Sequence, residues 1–192
     1  DDTLESGSTR QDLLNWIDVC RSLTNEPLRE ANPTNDDYFG HVEDVEVGTI
    51  FPSRRELYDA RIHRTLQAGI VGRQDEGAES VVLSGGYIDD EDYGDLIIYT
   101  GDGGQDDNRN QISDQEFTGK NKALHRNHLD GIPVRVVRGA GHRSTFSPDS
   151  GYRYDGLYQV ERCWRERGQH SFLVCRYRLV KMAEGSVLLP LT

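Results

Sequence analysis

Short strand-like segments separated by glycine-rich turns restrict the fold of this chain more than any other feature. Six such segments lie at 69–73, 79–83, 95–99, 133–138, 157–164 and 171–180, and the chain of 192 residues contains 20 glycines. The last two segments flank 165–170 and predict a hairpin. One clear helix is predicted at 118–129. Strands and helices do not alternate, so the pattern predicts an α+β, mainly β fold with a twisted, barrel-like sheet.

The N-terminal quarter has a different character. Residues 9–12 have the form of a helix capping box, and apolar residues follow at helical spacing up to Cys20. A polar stretch with two prolines then fills 24–44. We therefore predict an acidic N-terminal helix and linker at 1–46, a main domain at 47–182 and a short tail at 183–192.

The charge of the chain is unevenly distributed, although the net charge is −11. Residues 1–48 contain 12 acidic and 3 basic side chains, whereas residues 131–182 contain 10 basic and 4 acidic ones. Local positive charge is what a phosphate-binding surface needs, so the C-terminal third is predicted to present a basic face.

The cellular setting follows from what the sequence lacks. It has no apolar run of membrane-spanning length and no signal-peptide pattern, so no membrane partner is expected. Three cysteines without a CxxC pair indicate a reducing interior, with neither a disulfide framework nor a zinc knuckle. The expected location is cytoplasmic, associated with the nucleoid in a prokaryote or nuclear in a eukaryote.

The segment SGGYIDDEDYG, followed by YTGDGG, is the densest group of functional residue types. It places glycine-rich turns at the ends of two strands, each beside an aromatic ring, Tyr87 and Tyr99. Glycines let a planar ligand approach the backbone, and a carboxylate between two rings suits a flat heterocycle with an amino group. Alternatively, both tyrosines are half-buried strand residues and the acids form a solvated turn.

At this point the sequence resembles a known family. The run AGIVGR through VVLSGGYIDDEDYGDLIIYTGDGG, followed in order by NKAL, PVRVVR, YDGLY and FLVCRY, is similar to the SRA (SET- and RING-associated) domain, also called YDG. The resemblance extends from about residue 47 to 181. It implies a PUA-like β-barrel that binds duplex DNA containing 5-methylcytosine, with the modified base flipped out of the helix.

The resemblance implies a base pocket formed by seven residues: Ser84, Gly85, Gly86, Tyr87, Asp90, Tyr99 and Thr100. Extrusion of a base costs a few kcal/mol, and stacking on the two tyrosines would return roughly 1–3 kcal/mol per base. Asp90 would accept a hydrogen bond from the cytosine N4 amino group, where thymine has a carbonyl. Backbone amides near Gly86 and Thr100 would satisfy N3 and O2. Ser84 and the glycines would leave space for the methyl group.

Other contacts to DNA are expected outside the pocket. Gln67 lies in the loop that corresponds to the family's thumb and would fill the gap left by the flipped base, or it is an ordinary surface residue. Arg73, Arg138, His142 and Arg143 are candidate phosphate contacts; for the last three the alternative is a solvated loop, and for Arg73 it is an ion pair with the acidic turn. The segment after Gly104 is shorter and more acidic than the opposite-strand finger of vertebrate members.

Two other functional classes remain open. The chain could be the recognition half of a methylation-dependent HNH endonuclease, because prokaryotic relatives often carry such a nuclease domain. Within 1–192, the segment His125-Arg126-Asn127-His128 only superficially resembles an HNH motif and is interpreted as a helix C-terminus. A PUA-like binder of a modified RNA base is the more remote alternative. The acid cluster lacks the spacing of a Ca²⁺ site, so no metal is expected. No catalytic set and no cofactor are expected within 1–192 either.

Overall fold

The computed structural model describes residues 38–183. The strands are β1 (Ile50–Phe51), β2 (Ile70–Arg73), β3 (Gly77–Leu83), β4 (Glu91–Asp92), β5 (Leu96–Thr100), β6 (Val134–Gly139), β7 (Tyr152–Arg167) and β8 (Leu173–Lys181). The helices are α1 (Arg54–Asp59) and α2 (Gly119–Asp130), with a 3-10 turn at Ala140–His142. All six predicted strands and the helix at 118–129 are confirmed. The helix predicted near the N-terminus and residues 184–192 of the tail lie outside the described residues.

The strands form one mixed sheet in the order β2-β3-β6-β7-β8-β5-β4, with β1 paired to β7. Among the strands of residues 38–183, only β3 and β6 are parallel; the other pairs are antiparallel. The predicted mainly β, PUA-like fold is confirmed, with the sheet twisted but not closed into a barrel in the described part. The 16-residue strand β7 pairs with β6 through its first half and with β8 through its second, and the predicted hairpin joins β7 to β8.

Helix α2 covers one face of the sheet. It ends at Asp130 and is capped by Gly131, whose left-handed backbone (φ 68°) is the conformation that glycine adopts at helix ends. Ala123 and Leu124 are buried in the larger core cluster. The Asn127 side chain is hydrogen-bonded to β3, because its Oδ1 accepts from the Ala78 amide (2.6 Å) and its Nδ2 donates to the Ala78 carbonyl (2.7 Å).

A second core cluster extends the domain toward the N-terminus. Val42, Val45 and Val47 pack against it, and His41 Nδ1 lies 2.8 Å from the Tyr154 hydroxyl. Val42 and Val45 lie in the segment predicted as a linker, yet they pack against this core.

Four of the ten basic side chains in residues 131–182 are internal. Arg135, Arg138, Arg176 and Arg178 are buried, and each forms an ion pair with a carboxylate. The prediction of a broad basic face is therefore wrong for these four side chains. No helix among residues 38–183 is both long and apolar enough to span a membrane.

Candidate functional site

The predicted pocket residues lie where β3 and β5 end. Residues 84–90 connect β3 to β4, and Thr100 is the last residue of β5. Gly85 has a left-handed backbone (φ 76°), and a Cβ there would lie only 2.5 Å from the Gly141 carbonyl oxygen. A larger residue would therefore displace the 3-10 turn. Ser84 is half-buried beside it.

The two tyrosines occupy different environments at this end of the sheet. Tyr87 is half-buried; its hydroxyl accepts from the Gly103 amide (2.9 Å) and faces Asp102 Oδ1 (3.4 Å). Burial raises the pKa of Tyr87 to about 12. Tyr99 is only 3% exposed and belongs to the core. Burial, followed by the charges of Asp90 and Tyr87, raises the pKa of Tyr99.

Asp90 is the carboxylate of this group. Its Oδ1 accepts from the Thr100 amide at 2.8 Å. Burial raises the pKa of Asp90 to about 6, although hydrogen bonding by Thr100 and the charges of His142 and Arg176 oppose the shift. The Thr100 amide, predicted to face a base, thus orients the carboxylate. An ionised carboxylate has about four acceptor positions, so capacity remains for a ligand.

Sequence reasoning gave no role to Arg176, which is hydrogen-bonded to two segments of the predicted pocket region. Its side chain is 3% exposed, and its Nη1 donates to Thr100 Oγ1 (2.8 Å) and to the Asp89 carbonyl. Its Nη2 donates to Glu91 Oε1 at 2.8 Å. The one signal for Arg176 in the sequence was its place in the segment FLVCRY, one of the motifs that resemble the family. Arg176 fixes both the acidic turn and the end of β5.

Arg138 and His142, expected at phosphates, face the interior instead. Arg138 binds Asp92 through Nε (2.9 Å) and Nη2 (2.8 Å), and Asp155 through Nη1 (2.8 Å). His142 Nε2 lies 3.1 Å from Asp92 Oδ2. Burial alone would raise the pKa of Asp92, but the hydrogen bonds from His142 and Arg138 hold it below its usual value. The guanidinium is saturated by protein partners, so a direct phosphate contact by Arg138 is not supported.

The YDG triplet belongs to the same internal network. Asp155 also accepts from Arg153, and Tyr154 is fully buried. Gly156 has φ 96°, and a Cβ there would lie against Val47. Asp155 therefore holds Arg138, whereas Tyr154 packs in the second core cluster and Gly156 against Val47, so the triplet supports the fold.

Three other predicted contact residues are on the surface. Gln67 is exposed, and its side chain makes no hydrogen bond to any of residues 38–183. Arg143 is exposed, has a left-handed backbone (φ 57°), and has no side-chain partner in the same described range. Arg73 is exposed and pairs with Glu76 at 3.1 Å. Gln67 and Arg143 are thus the two free polar side chains of this set.

The acidic turn is not a solvated cluster, because each carboxylate has its own partner. Asp89 accepts from the Gln169 amide (2.8 Å), and Glu91 accepts from both Arg176 (2.8 Å) and the Tyr93 hydroxyl (2.8 Å). With Asp90 bound to Thr100 and Asp92 bound to Arg138, the turn is fixed on every side. No group of three or more metal-ligand side chains occurs within residues 38–183.

The segment 125–128 lies within α2, as predicted, although the helix continues two residues beyond it. The His125 and His128 rings are stacked with centroids 6.4 Å apart, and His128 Nδ1 lies 3.0 Å from the Val160 carbonyl oxygen. Burial lowers the pKa of His125. With Asn127 bonded to Ala78, three of the four residues of this segment serve helix packing.

Asp106 stabilises the short loop after Gly104 through hydrogen bonds within the loop. Asp106 Oδ1 accepts from the amides of Asn108 and Asn110, each at 2.9 Å. Gln105 Nε2 donates to the Gly86 carbonyl at 2.9 Å, which joins this loop to the pocket turn. The carboxylate of Asp106 is therefore used inside the loop, while Arg109 is exposed at its tip.

Comparison with known proteins identifies the family. The SAD/SRA domain model matches residues 38–185, and the chain belongs to this family. It is 46% identical over 143 residues to the E3 ubiquitin-protein ligase ORTHRUS 2 of Arabidopsis thaliana, covering 70% of this chain and 22% of that protein. It is 41% identical over 163 residues to UHRF1 of Rattus norvegicus, covering 74% and 21%. The chain thus spans less than a quarter of these curated relatives.

Solved structures give the same family. The modification-dependent TagI restriction endonuclease is 48% identical with a TM-score of 0.73, covering 76% of this chain and 53% of that one. The SRA domain of SUVH5 bound to fully hydroxymethylated CG DNA is 39% identical with a TM-score of 0.66, covering 80% and 99%. The same domain has also been solved with hemimethylated CG DNA, at 41% identity and a TM-score of 0.64, covering 80% and 99%.

Proposed function

We propose that this chain binds duplex DNA containing 5-methylcytosine and holds the flipped base between Tyr87 and Tyr99. The observation that carries this proposal is the placement of Asp90. Its carboxylate is fixed at 2.8 Å by the amide of Thr100, the residue after Tyr99, and its own amide donates to the Tyr87 carbonyl at 3.3 Å. The similarity to SRA domains solved with methylated DNA supports the same ligand class.

Each part of the site has a defined role in this proposal. The two rings replace the stacking that the base loses on leaving the duplex. Ionised Asp90 accepts from the N4 amino group and rejects thymine, which presents a carbonyl there. Ser84, Gly85 and Gly86 bound the space for the methyl group, and a fitted methyl discriminates by about 1–3 kcal/mol. Arg143 contacts phosphate, and such binding places the protein in the nucleoid or nucleus.

Fluorescence polarisation with matched duplexes, methylated and unmethylated, tests the proposal. The parent protein should bind the methylated duplex more tightly. Asp90→Ala should remove most of that preference, because without an acceptor for N4 the base is not held in the pocket and only the phosphate contacts common to both duplexes remain. Asp75→Ala is the matched control, since it removes the same charge from an exposed turn between β2 and β3. Equal affinity of the parent for both duplexes at several salt concentrations would contradict the proposal.

A second candidate is that this domain directs a modification-dependent restriction endonuclease. The similarity to TagI favours it, since this chain corresponds to 53% of that nuclease. Incubation of methylated plasmid with this chain and Mg²⁺ or Mn²⁺ is the test. A recognition module leaves the plasmid intact, whereas specific cleavage that survives His125→Ala with His128→Ala would reveal an active site elsewhere in the chain.

A further inference from the structure

The loop that carries Gln67 is fixed at both ends. At its start, Arg64 forms hydrogen bonds to Glu79, one of them 3.0 Å from Nε to Oε2, and its guanidinium lies 4.2 Å from the centre of the Tyr38 ring. At its end, the Ala68 carbonyl accepts two hydrogen bonds, each 2.9 Å long, from Arg54 Nη1 and His63 Nε2. Only residues 65–67 lie between these fixed points.

The next carbonyl, that of Gly69, joins this loop to the predicted pocket. It accepts from the Val82 amide (2.8 Å) and from the Tyr99 hydroxyl (3.2 Å). A Cβ at position 69 would lie 3.0 Å from the same hydroxyl oxygen, so glycine permits the close approach. The ring proposed to stack on the flipped base is thus hydrogen-bonded to a carbonyl two residues from Gln67.

The chemistry of His63 keeps this loop fixed at neutral pH. The Ala68 carbonyl can only accept, so Nε2 carries the proton, and Nδ1 accepts from the Ser80 hydroxyl at 2.7 Å. His63 is fully buried, and burial lowers its pKa to about 3. The neutral tautomer therefore persists across the physiological range and always supplies one donor to Ala68.

The tip of the loop presents side chains that the fold itself does not use. Leu66 is 49% exposed, and Gln67 is exposed without a side-chain hydrogen bond in the described range. An apolar side chain beside an amide, held on a fixed stem, suits insertion into a base stack, where apolar residues part adjacent bases. The stem limits the conformational entropy that insertion would cost.

We propose that the Tyr99 hydroxyl is a positioning contact that couples occupation of the base pocket to insertion of residues 66–67. The inference rests on the proposed function. A base stacked on Tyr99 sets the final position of this buried ring, and the hydroxyl transmits that position to Gly69 and so to the loop tip. Conversely, an inserted tip holds Gly69 against Tyr99 and keeps the ring oriented for stacking. Flipping and gap filling therefore stabilise each other.

A double-mutant cycle of Tyr99→Phe and Gln67→Ala tests this coupling, because phenylalanine keeps the ring and removes only the hydroxyl. Each single variant should weaken binding of the methylated duplex by about three- to tenfold, the effect of one hydrogen bond. With coupling, the double variant should be about fivefold tighter than the product of the two single effects predicts. Independent effects that simply multiply would overturn the proposal.

A second readout separates positioning from stability. A 2-aminopurine placed beside the methylated base reports the flipped fraction at saturating protein. This fraction should fall in Tyr99→Phe, and also in Gly69→Ala, whose Cβ would displace the hydroxyl. Tyr158→Phe is the matched control: it removes a buried hydroxyl that donates to the Gly94 carbonyl (2.9 Å), outside the loop. An unchanged flipped fraction in both Tyr99→Phe and Gly69→Ala would overturn the coupling.

The two proposals fail in different ways. A parent protein without methyl preference or flipped-base signal contradicts the proposed function itself. A parent with both properties, combined with independent effects in the cycle, contradicts only the coupling. Urea denaturation measures the free energy of unfolding of each variant, so that a loss of binding can be distinguished from a loss of folded protein.

Discussion

Asp90 and Asp92 lie two residues apart in one acidic turn, yet they belong to regions with opposite chemistry. On the pocket side, Asp90 has its pKa raised by burial to about 6 and is hydrogen-bonded by Thr100. On the interior side, Asp92 is held below its usual pKa by His142 and Arg138. The Asp90 carboxylate therefore keeps acceptor positions for a ligand, whereas both oxygens of Asp92 are occupied by donors of the protein.

The difference shows that a turn of four acids can divide between ligand recognition and folding. A buried carboxylate is tolerated when cations and donors surround it, as around Asp92. A carboxylate with few partners is costly to ionise, and such groups mark candidate binding sites. Identical residue types therefore give no sign of their roles until their neighbours are known.

The largest effect is expected from breaking the interior region. Arg138→Met should lower the free energy of unfolding by about 3–5 kcal/mol, because it removes the guanidinium that buried Asp92 and Asp155 share. Within residues 38–183, Asp155 then keeps only Arg153 as its ion-pair partner, and Asp92 keeps only His142. Urea denaturation followed by circular dichroism measures it. The control Arg73→Met removes an exposed pair with Glu76 and should cost only about 0–1 kcal/mol. Similar stability of both variants would show that the network does not support the fold.

The pocket region should respond to mild acid before the interior does. Because the pKa of Asp90 is about 6, its carboxylate takes up a proton between pH 7 and 5, and an acceptor for the N4 amino group is lost. Affinity for methylated DNA should fall by up to about tenfold per pH unit below 6. Affinity that rises on acidification would mean instead that a protonated Asp90 donates to the base.

Asp90 and Asp92 change the folding stability in opposite directions as the pH falls. The raised pKa of Asp90 makes its ionised form unfavourable for folding above pH 6, so its protonation does not destabilise the protein. The lowered pKa of Asp92 contributes stability that is present above the unfolded value of about 3.8 and is lost as pH falls below it. Thermal unfolding at pH 5 should therefore remain cooperative while binding is already weakened.

The smallest effect is expected at Arg143, which follows His142 directly but faces solvent. Arg143→Ala should weaken methylated and unmethylated duplexes alike and reduce the slope of log affinity against log salt by about one. Titrations at several salt concentrations measure both quantities. A selective loss for the methylated duplex would place Arg143 at the base and not at a phosphate.

Much of the fold could be predicted because its signals are local. Alternation and glycine-rich turns located six strands, and the helix at 118–129 was recognised in place. The short elements β1, β4 and α1 were not predicted, since two to six residues show no periodicity. For α1 a local signal did exist: Ser53 and Glu56 have the spacing of a capping box, and the Ser53 hydroxyl accepts from the Arg55 amide.

The candidate site was predictable where its residues are close in sequence. Tyr87 and Asp90 share one turn, and the ordered motifs indicated the family. The roles of Arg138 and Arg176 were not predictable, because their partners come from strands 46 and 85 residues away in the chain. Only the packed sheet brings those charges together and removes them from water.

The sequence by itself determined the strands, the glycine turns and the set of aromatic and acidic residues, because these follow from local backbone and side-chain preferences. The tertiary structure decided which charges are exposed. It turned Arg138 and His142 inward, left Gln67 and Arg143 free, and joined Tyr99 to the Gly69 carbonyl. The burial and pairing of these side chains depend on contacts between segments that are distant in sequence. The strength of each charge interaction depends in turn on how far water is excluded from it.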